Sequence, residues 1–418
     1  MSKFIITGKK KLQGSVPIFG NKNAILPIMA ACLLTKKDCV LENVPPIKDV
    51  FIMAEILKEL GAKVEFSKKN VLLINAAGVN KSSLKPGLVR ELRASILVLA
   101  PLLSRFGQAS LPSPGGCIIG SRGVETHFAA LKTLGAQIEV KGKKFNARVK
   151  QKRAGYIFLD EASVTATENA MMMAALTEGE TVIDDAACEP HVVDLALFLK
   201  KMGVKISGEG TNRLIIEGKK KLKGVRFEIG PDYIDAGAFA VLAAVTQSKL
   251  RIGPVRVRDL QMILLYFERF GVNFKLEKNN LLVGPANLKS PGKVQTRPWP
   301  GFPSDLMSLL IVLATQAQGT SLCHDWMFES RMYFTDKLIR MGAKIIACDP
   351  HRVLVSGPVS LYGEVLESPD IRAGMALVVA ALCAQGKSEI NNIRVIERGH
   401  AQVEKRLKEI GAQIKKID

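Results

Sequence analysis

Leu57-Lys58-Glu59-Leu60-Gly61-Ala62-Lys63-Val64 ends a helix and starts a strand within eight residues. Gly61 stands where a helix C-terminus needs a left-handed residue, and the polar-apolar alternation of Lys63-Val64-Glu65-Phe66 follows at once. The phrase recurs as Leu131-Lys132-Thr133-Leu134-Gly135-Ala136-Gln137-Ile138, as Leu199-Lys200-Lys201-Met202-Gly203-Val204-Lys205-Ile206, and as Phe267-Glu268-Arg269-Phe270-Gly271-Val272-Asn273-Phe274. Leu338-Ile339-Arg340-Met341-Gly342-Ala343-Lys344-Ile345 and Leu407-Lys408-Glu409-Ile410-Gly411-Ala412-Gln413-Ile414 complete the set. The glycines are 74, 68, 68, 71 and 69 residues apart, so six units of about 70 residues account for the chain.

Each unit also carries a helix of another character: 24–34, 94–103, 170–176, 236–245, 306–314 and 373–384 are almost wholly Ala, Leu, Met, Val and Ile. A helix that is apolar around its circumference belongs in an interior, whereas half-polar strands can face water. The expected fold is α/β, with two inside-out α/β domains of three repeats each, buried helices and sheets outside. The pattern restarts at 224–230. The expected domains are therefore 1–20 with 230–418, which holds both chain ends, and 21–229, which carries the cysteine-bearing loop described below.

The chain has 418 residues, 59 Lys and Arg against 39 Asp and Glu, and a formal net charge of +20. Such a charge favours anionic partners: nucleic acid, lipid headgroups or phosphorylated metabolites. Aromatic residues are only 6%, and the lysine clusters 9–11, 143–144 and 219–221 lack interleaved aromatics, so nucleic acid is not expected. The seven cysteines form no CxxC pair, which argues against a disulfide framework or structural zinc and for a reducing compartment. The apolar run Phe4-Ile5-Ile6 is too short for a signal peptide, and no segment reaches the ~20 apolar residues of a membrane span. A cytoplasmic location is expected, and the sequence sets no oligomeric state.

Polar residues collect where the apolar helices begin: Lys22-Asn23, Arg90 with Arg93, Glu168-Asn169, Asp232 with Asp235, Asp305, and Asp370 with Arg372. Asp232, Asp305 and Glu168 serve equally well as ordinary caps or as site residues. Lys22, Arg93 and Arg372 have the wrong sign for a helix start unless an anion lies in front of them, and read as binding groups. If the two halves face one another, these ends converge on one positive cleft suited to a phosphorylated ligand, and an open form should close on that ligand. Cys117, set among Gly and Pro five residues from Arg122, reads as an exposed loop thiol whose pKa a cation would lower, either catalytic or incidental. Cys32 and Cys383 have the apolar neighbours of core thiols, the other cysteines lie in apolar or strand contexts, and His127 suits capping or packing.

The whole chain resembles the enolpyruvyl transferases. The resemblance rests on Gly20-Asn21-Lys22-Asn23-Ala24, Asn43-Val44-Pro45 with Lys48-Asp49, Arg93-Ala94-Ser95, Gly115-Gly116-Cys117-Ile118-Ile119-Gly120-Ser121-Arg122 and Ala166-Thr167-Glu168-Asn169. Gly230-Pro231-Asp232, Pro300-Gly301-Phe302-Pro303-Ser304-Asp305, Phe328-Glu329-Ser330-Arg331, Asp370-Ile371-Arg372-Ala373 and Arg398-Gly399 continue it. The cysteine loop selects the branch that acts on a sugar nucleotide over the sister branch acting on shikimate 3-phosphate.

The resemblance implies transfer of the enolpyruvyl group of phosphoenolpyruvate to the 3-hydroxyl of UDP-N-acetylglucosamine, without metal or other cofactor. It implies that Lys22, Arg122 and Arg398 hold the phosphate and carboxylate of phosphoenolpyruvate, with Arg93 and Arg372 supporting that charge. Cys117 would add reversibly to phosphoenolpyruvate and assist proton donation, and would be the thiol alkylated by the epoxide fosfomycin. Asp305 would be the base at the sugar hydroxyl. Asn23, Ser163, Glu329 and Arg331 would contact substrate, and Lys48, Asp49 and Asp232 would organise the site from behind.

Three departures stand out. Glu125-Thr126 occupies a usual Asp-Leu, Thr165 a usual Gly, and His191 a usual acidic residue. The first two lie where the family holds its nucleotide, so the pyruvyl chemistry is better supported than the acceptor. A different sugar nucleotide, shikimate 3-phosphate, or a non-enzymatic anion-binding paralogue are the alternatives.

Overall fold

The computed structural model describes residues 2–67, 70–115 and 123–418. All six repeat glycines have positive φ, from 70° at Gly271 to 107° at Gly203. At Gly61 the backbone N–H bonds to Lys58 O at 2.9 Å and the next N–H to Leu57 O at 3.0 Å, so the last helical carbonyls are satisfied as the chain turns into its strand. The same pair of bonds recurs at Gly135, Gly203, Gly271, Gly342 and Gly411.

The described residues form two compact units, one built from those up to Phe19 together with Pro231–Asp418, the other from those between Gly20 and Gly230. In the first unit the helices Tyr233–Val245, Met307–Thr315 and Ile371–Cys383 pack on one another with every residue buried. Around them lie three four-stranded sheets, in which strands such as Lys249–Gly253 and Asn280–Gly284 bury alternate residues. The strand Lys3–Thr7 pairs antiparallel with both Lys387–Asn391 and Gln413–Ile417, which ties the start of the chain to its end. In the second unit the buried helices are Lys22–Ala31, Leu99–Phe106 and Val164–Ala175. Their sheets include Arg226–Glu228 parallel to Cys39–Glu42, which continues antiparallel into Val71–Asn75 and Lys63–Ser67. Buried helices with sheets outside are thus found in each unit.

The apolar stretch 94–103 is not one helix. Arg93–Val98 is a 3-10 segment and the α-helix begins at Leu99. Pro101 has no N–H to offer the Leu97 carbonyl, and it falls in the first turn of the helix starting at Leu99, where that N–H is not needed. Among the described residues, no helix is long and apolar enough to cross a membrane.

Candidate active site

In the first unit, the three buried helices begin in charged residues that are wired to one another. Asp232 caps Tyr233–Val245 by accepting from the N–H groups of Ile234 and Asp235 at 2.9 and 3.1 Å. Asp370 caps Ile371–Cys383 in the same way, from Arg372 and Ala373 at 2.8 and 3.0 Å. Asp305 does not cap: it lies in the 3-10 turn Ser304–Leu306 and its side chain faces two guanidinium groups. Arg372 Nε and Nη2 lie 3.0 and 2.9 Å from Asp305 Oδ2, and Arg331 Nη2 lies 3.2 Å from Oδ1. The anion in front of Arg372 is therefore a carboxylate of this chain, which together with the Asp370 cap offsets the helix dipole.

Both arginines are rooted further in. Arg331 is fully buried, with Nε 3.8 Å from Asp325, while Asp325 accepts from Ser304, from Thr296 at 3.0 Å and from the Met327 N–H at 3.1 Å. Arg372 Nη1 lies 3.4 Å from His400 Nε2, and His400 Nδ1 lies 2.8 Å from Asp235, which Arg406 grips through both carboxylate oxygens. Burial works against the Asp235 charge, but Arg406 and then His400 outweigh it and hold its carboxyl well below the usual range. Burial likewise works against the Arg372 charge, and Asp305 and Asp232 more than restore it. Asp305, with a side chain 30% exposed, is the member of this network that reaches furthest outward. Arg398 and Glu329 are half-buried, two residues before His400 and Arg331 respectively.

In the second unit, Asn21 caps Lys22–Ala31, accepting from the N–H groups of Asn23 and Ala24 at 2.7 and 3.1 Å. Lys22 Nζ lies 2.9 Å from Asp49 Oδ2, a buried carboxylate in the first turn of Lys48–Leu60. Its neighbour Lys48 is exposed and lies 3.5 Å from the Glu91 carboxylate, so Asp49 alone of that pair reaches Lys22. Arg93 opens the 3-10 segment Arg93–Val98 and donates to Gly123 O at 3.0 Å.

Ser163 stands just before Val164–Ala175 without a side-chain capping bond. On that helix Asn169 Nδ2 lies 2.9 Å from His127 Nδ1, and Thr165 Oγ1 lies 3.0 Å from His127 Nε2. An amide N–H can only donate, so Nδ1 is the acceptor and Nε2–H faces Thr165. Burial, then the charge of Arg93, pushes the His127 pKa down to about 3, so the ring is neutral. His127 therefore packs and positions the helix start, and Thr165 spends its hydroxyl on it. Glu125 accepts from the Val124 N–H at 2.7 Å, and Thr126 bonds Asp160 at 2.7 Å. His191 is buried in the first turn of Pro190–Lys201, beside Glu189.

Cys117 and Arg122 lie outside the described residues. Among the described cysteines, Cys32, Cys39, Cys323 and Cys383 are buried, Cys188 is half-buried and Cys348 is exposed on the strand Lys344–Asp349. Burial, then the charge of Glu189, pushes the Cys188 thiol up to about 11, and burial pushes Cys323 up to about 12.

Sequence reasoning missed Asp325, His400 and Arg406. The signals are faint: His400 follows the Arg398-Gly399 motif directly, Asp325 is a lone carboxylate before Trp326-Met327-Phe328, and Arg406 is hidden in the charged run Glu404-Lys405-Arg406-Leu407-Lys408-Glu409.

Residues 6–407 match the family pattern of EPSP synthase (3-phosphoshikimate 1-carboxyvinyltransferase). The chain is 48% identical to the UDP-N-acetylglucosamine 1-carboxyvinyltransferase of Treponema denticola, over 99% of each chain. It is 46% identical to the enzyme of the same name from Bradyrhizobium diazoefficiens, covering 99% of this chain and 98% of that one. Among solved structures, the enolpyruvyl transferase NikO from Streptomyces tendae superposes with a TM-score of 0.90 at 22% identity, over 99% of this chain and 98% of that one. EPSP synthase from Acinetobacter baumannii superposes with a TM-score of 0.77 at 18% identity over the full length of both. Those two structures speak for the fold, while the sequence relatives, alike from end to end, place the chain more narrowly. It belongs to the enolpyruvyl transferase family, among the UDP-N-acetylglucosamine 1-carboxyvinyltransferases.

Proposed function

We propose that this chain transfers the enolpyruvyl group of phosphoenolpyruvate to the 3-hydroxyl of UDP-N-acetylglucosamine and releases phosphate, acting in the cytoplasm at the first committed step of peptidoglycan synthesis. The observation that carries the reading is the 48% identity along 99% of the chain to an enzyme of that name. The two cation–carboxylate pairs at helix starts, Lys22 with Asp49 and Arg372 with Asp305, support it.

The chemistry is an addition followed by an elimination. The sugar oxygen bonds to C2 of phosphoenolpyruvate while C3 takes a proton. The tetrahedral adduct then loses phosphate from C2 and a proton from C3, which restores the double bond on the sugar. Asp305 is the base that takes the hydroxyl proton, fixed in direction by Arg331 and Arg372. Cys117 serves proton transfer at C3. Lys22, Arg122 and Arg398 hold the phosphate and carboxylate, with Arg93 and Arg372 adding to the positive field in which the departing phosphate is stabilised. Asn23, Ser163 and Glu329 contact substrate, while Arg331, expected from the resemblance to touch it, is fully buried and acts through Asp305; Asp49 and Asp232 hold their neighbours and Lys48 adds surface charge. Cys117 is also the thiol that fosfomycin alkylates.

Mass spectrometry of the product tests the reading. UDP-N-acetylglucosamine incubated with enzyme and phosphoenolpyruvate should gain one enolpyruvyl group. An unmodified sugar nucleotide, with shikimate 3-phosphate modified in its place, would overturn it.

A further inference from the structure

We propose that His400 is a positioning residue for this transfer: held by Asp235, its imidazole accepts a hydrogen bond from Arg372 and fixes the guanidinium that grips Asp305. The inference rests on the proposed role of Asp305 as the base.

Donor and acceptor logic sets the tautomer. His400 Nδ1 lies 2.8 Å from an Asp235 oxygen, and an ionised carboxylate only accepts, so Nδ1 carries the proton. Across from Nε2, at 3.4 Å, is Arg372 Nη1, and a guanidinium only donates. Nε2 must therefore present a lone pair. With Nη1 committed to His400 and Nε and Nη2 committed to Asp305, the plane of Arg372 is fixed from two sides. Adding a proton at Nε2 would set donor against donor and cation against cation in a buried place.

The charges facing His400 agree with a neutral ring. Asp235 and Asp232 approach from the start of Tyr233–Val245, Arg372 from Ile371–Cys383, and Arg406 from Val403–Glu409 through its hold on Asp235. Burial lowers the His400 pKa, Asp235 raises it and Arg372 lowers it again, and the balance falls below the ordinary value of 6.5. Arg406 already neutralises Asp235, which weakens the one strong pull toward protonation. The backbone is seated as firmly as the ring. A Cβ at Gly399 would come within 2.4 Å of the Ile371 side chain, so the segment bearing His400 lies directly on the residue preceding Arg372.

The test compares two variants with wild type by phosphate release from pH 5 to 9. His400→Gln offers an amide donor to Asp235 and a carbonyl acceptor to Arg372 but cannot titrate, while His400→Phe keeps ring volume and offers neither. His400→Phe should lose about ten- to a hundredfold in kcat, the size expected when a buried hydrogen bond to a charged group is removed, with KM for the sugar nucleotide changed far less. His400→Gln should recover most of that loss and lack the acid fall in kcat that wild type shows as His400 titrates, a fall displaced to the acid side of the ordinary imidazole range because burial and Arg372 lower the folded pKa. Full kcat in His400→Phe, or an unchanged acid limb in His400→Gln, would overturn the proposal. Nitrogen-15 spectra of histidine-labelled wild type read the relay without reference to activity. A neutral Nδ1–H ring at pH 7 is expected, and an imidazolium there would refute the proposal. Wild type that fails to turn over these substrates would instead refute the proposed function, with the spectra still deciding the relay.

Discussion

Arg406→Met removes one partner of a buried pair and leaves the other, and the structure sets the size and the sign of the effect. The Arg406 side chain is 1% exposed and that of Asp235 6%, with both carboxylate oxygens bonded by the guanidinium. The guanidinium also donates to Pro17 O at 3.2 Å and stacks 4.6 Å from the Phe239 ring centre. Stranding a buried charge costs about 3–5 kcal/mol. The thioether regains some packing against Phe239, so a fall in Tm on the order of 10 °C is expected for a unit of this size.

The pH dependence should also flatten. In wild type the folded pKa of His400 is depressed, so the ring contributes stability that is lost as pH falls below about 6.5, where the unfolded chain takes up the proton. Without Arg406, the pull of Asp235 on His400 is less compensated, so the folded pKa moves up toward the unfolded value while burial and Arg372 still oppose the proton. The stability lost as pH falls below about 6.5 therefore shrinks. Thermal unfolding followed by circular dichroism between pH 5 and 8 measures both effects. A Tm loss under 2 °C on the same pH slope would refute the reasoning, since Asp235 would then be finding its compensation elsewhere.

Three further outcomes follow. Glu168 is fully buried with one oxygen lacking a hydrogen-bond partner, and burial, then the charge of Glu189, raises its pKa well above the usual value. Wild type should lose stability as pH rises above about 4.5 toward that raised value, and Glu168→Gln should remove this loss and melt higher at pH 8. Gly203→Ala meets open space and should cost about 1–2 kcal/mol for its positive φ alone, whereas at Gly135 a Cβ would come 2.5 Å from Gln151 O and the cost should be larger. Equal denaturation midpoints for the two would contradict that geometry. Under fosfomycin, peptide mapping should find the label on Cys117 and none on the exposed Cys348, and the reverse would remove Cys117 from the site.

The architecture was legible because it is local and repeated. A left-handed glycine, the helix before it and the strand after it are written in eight consecutive residues, six times over, and the buried helices announce themselves by composition. Asn21, Asp232 and Asp370 act as caps, which short-range reasoning about polar residues at helix starts can find. Which charge meets which is another matter. Asp305 reads as a possible cap until Arg372, 67 residues on, is seen to hold it, and His400 finds Asp235 across 165 residues. Such partners are set by how three buried helices and their flanking turns stack, and no local pattern encodes that. Lys22 and Arg372 stood out as cations at helix starts, yet the sequence did not reveal that the anions before them are Asp49 and Asp305. The break at Leu99 was encoded by Pro101, a signal outweighed in reading by the surrounding run of Leu and Val.

The most direct test of the central claim is phosphate release measured with phosphoenolpyruvate alone, then with UDP-N-acetylglucosamine, with other sugar nucleotides, and with shikimate 3-phosphate. Release that requires phosphoenolpyruvate and UDP-N-acetylglucosamine together, and that is fastest with that sugar, is the expected result. Release with shikimate 3-phosphate but not with any sugar nucleotide would contradict it and move the chain to the sister activity.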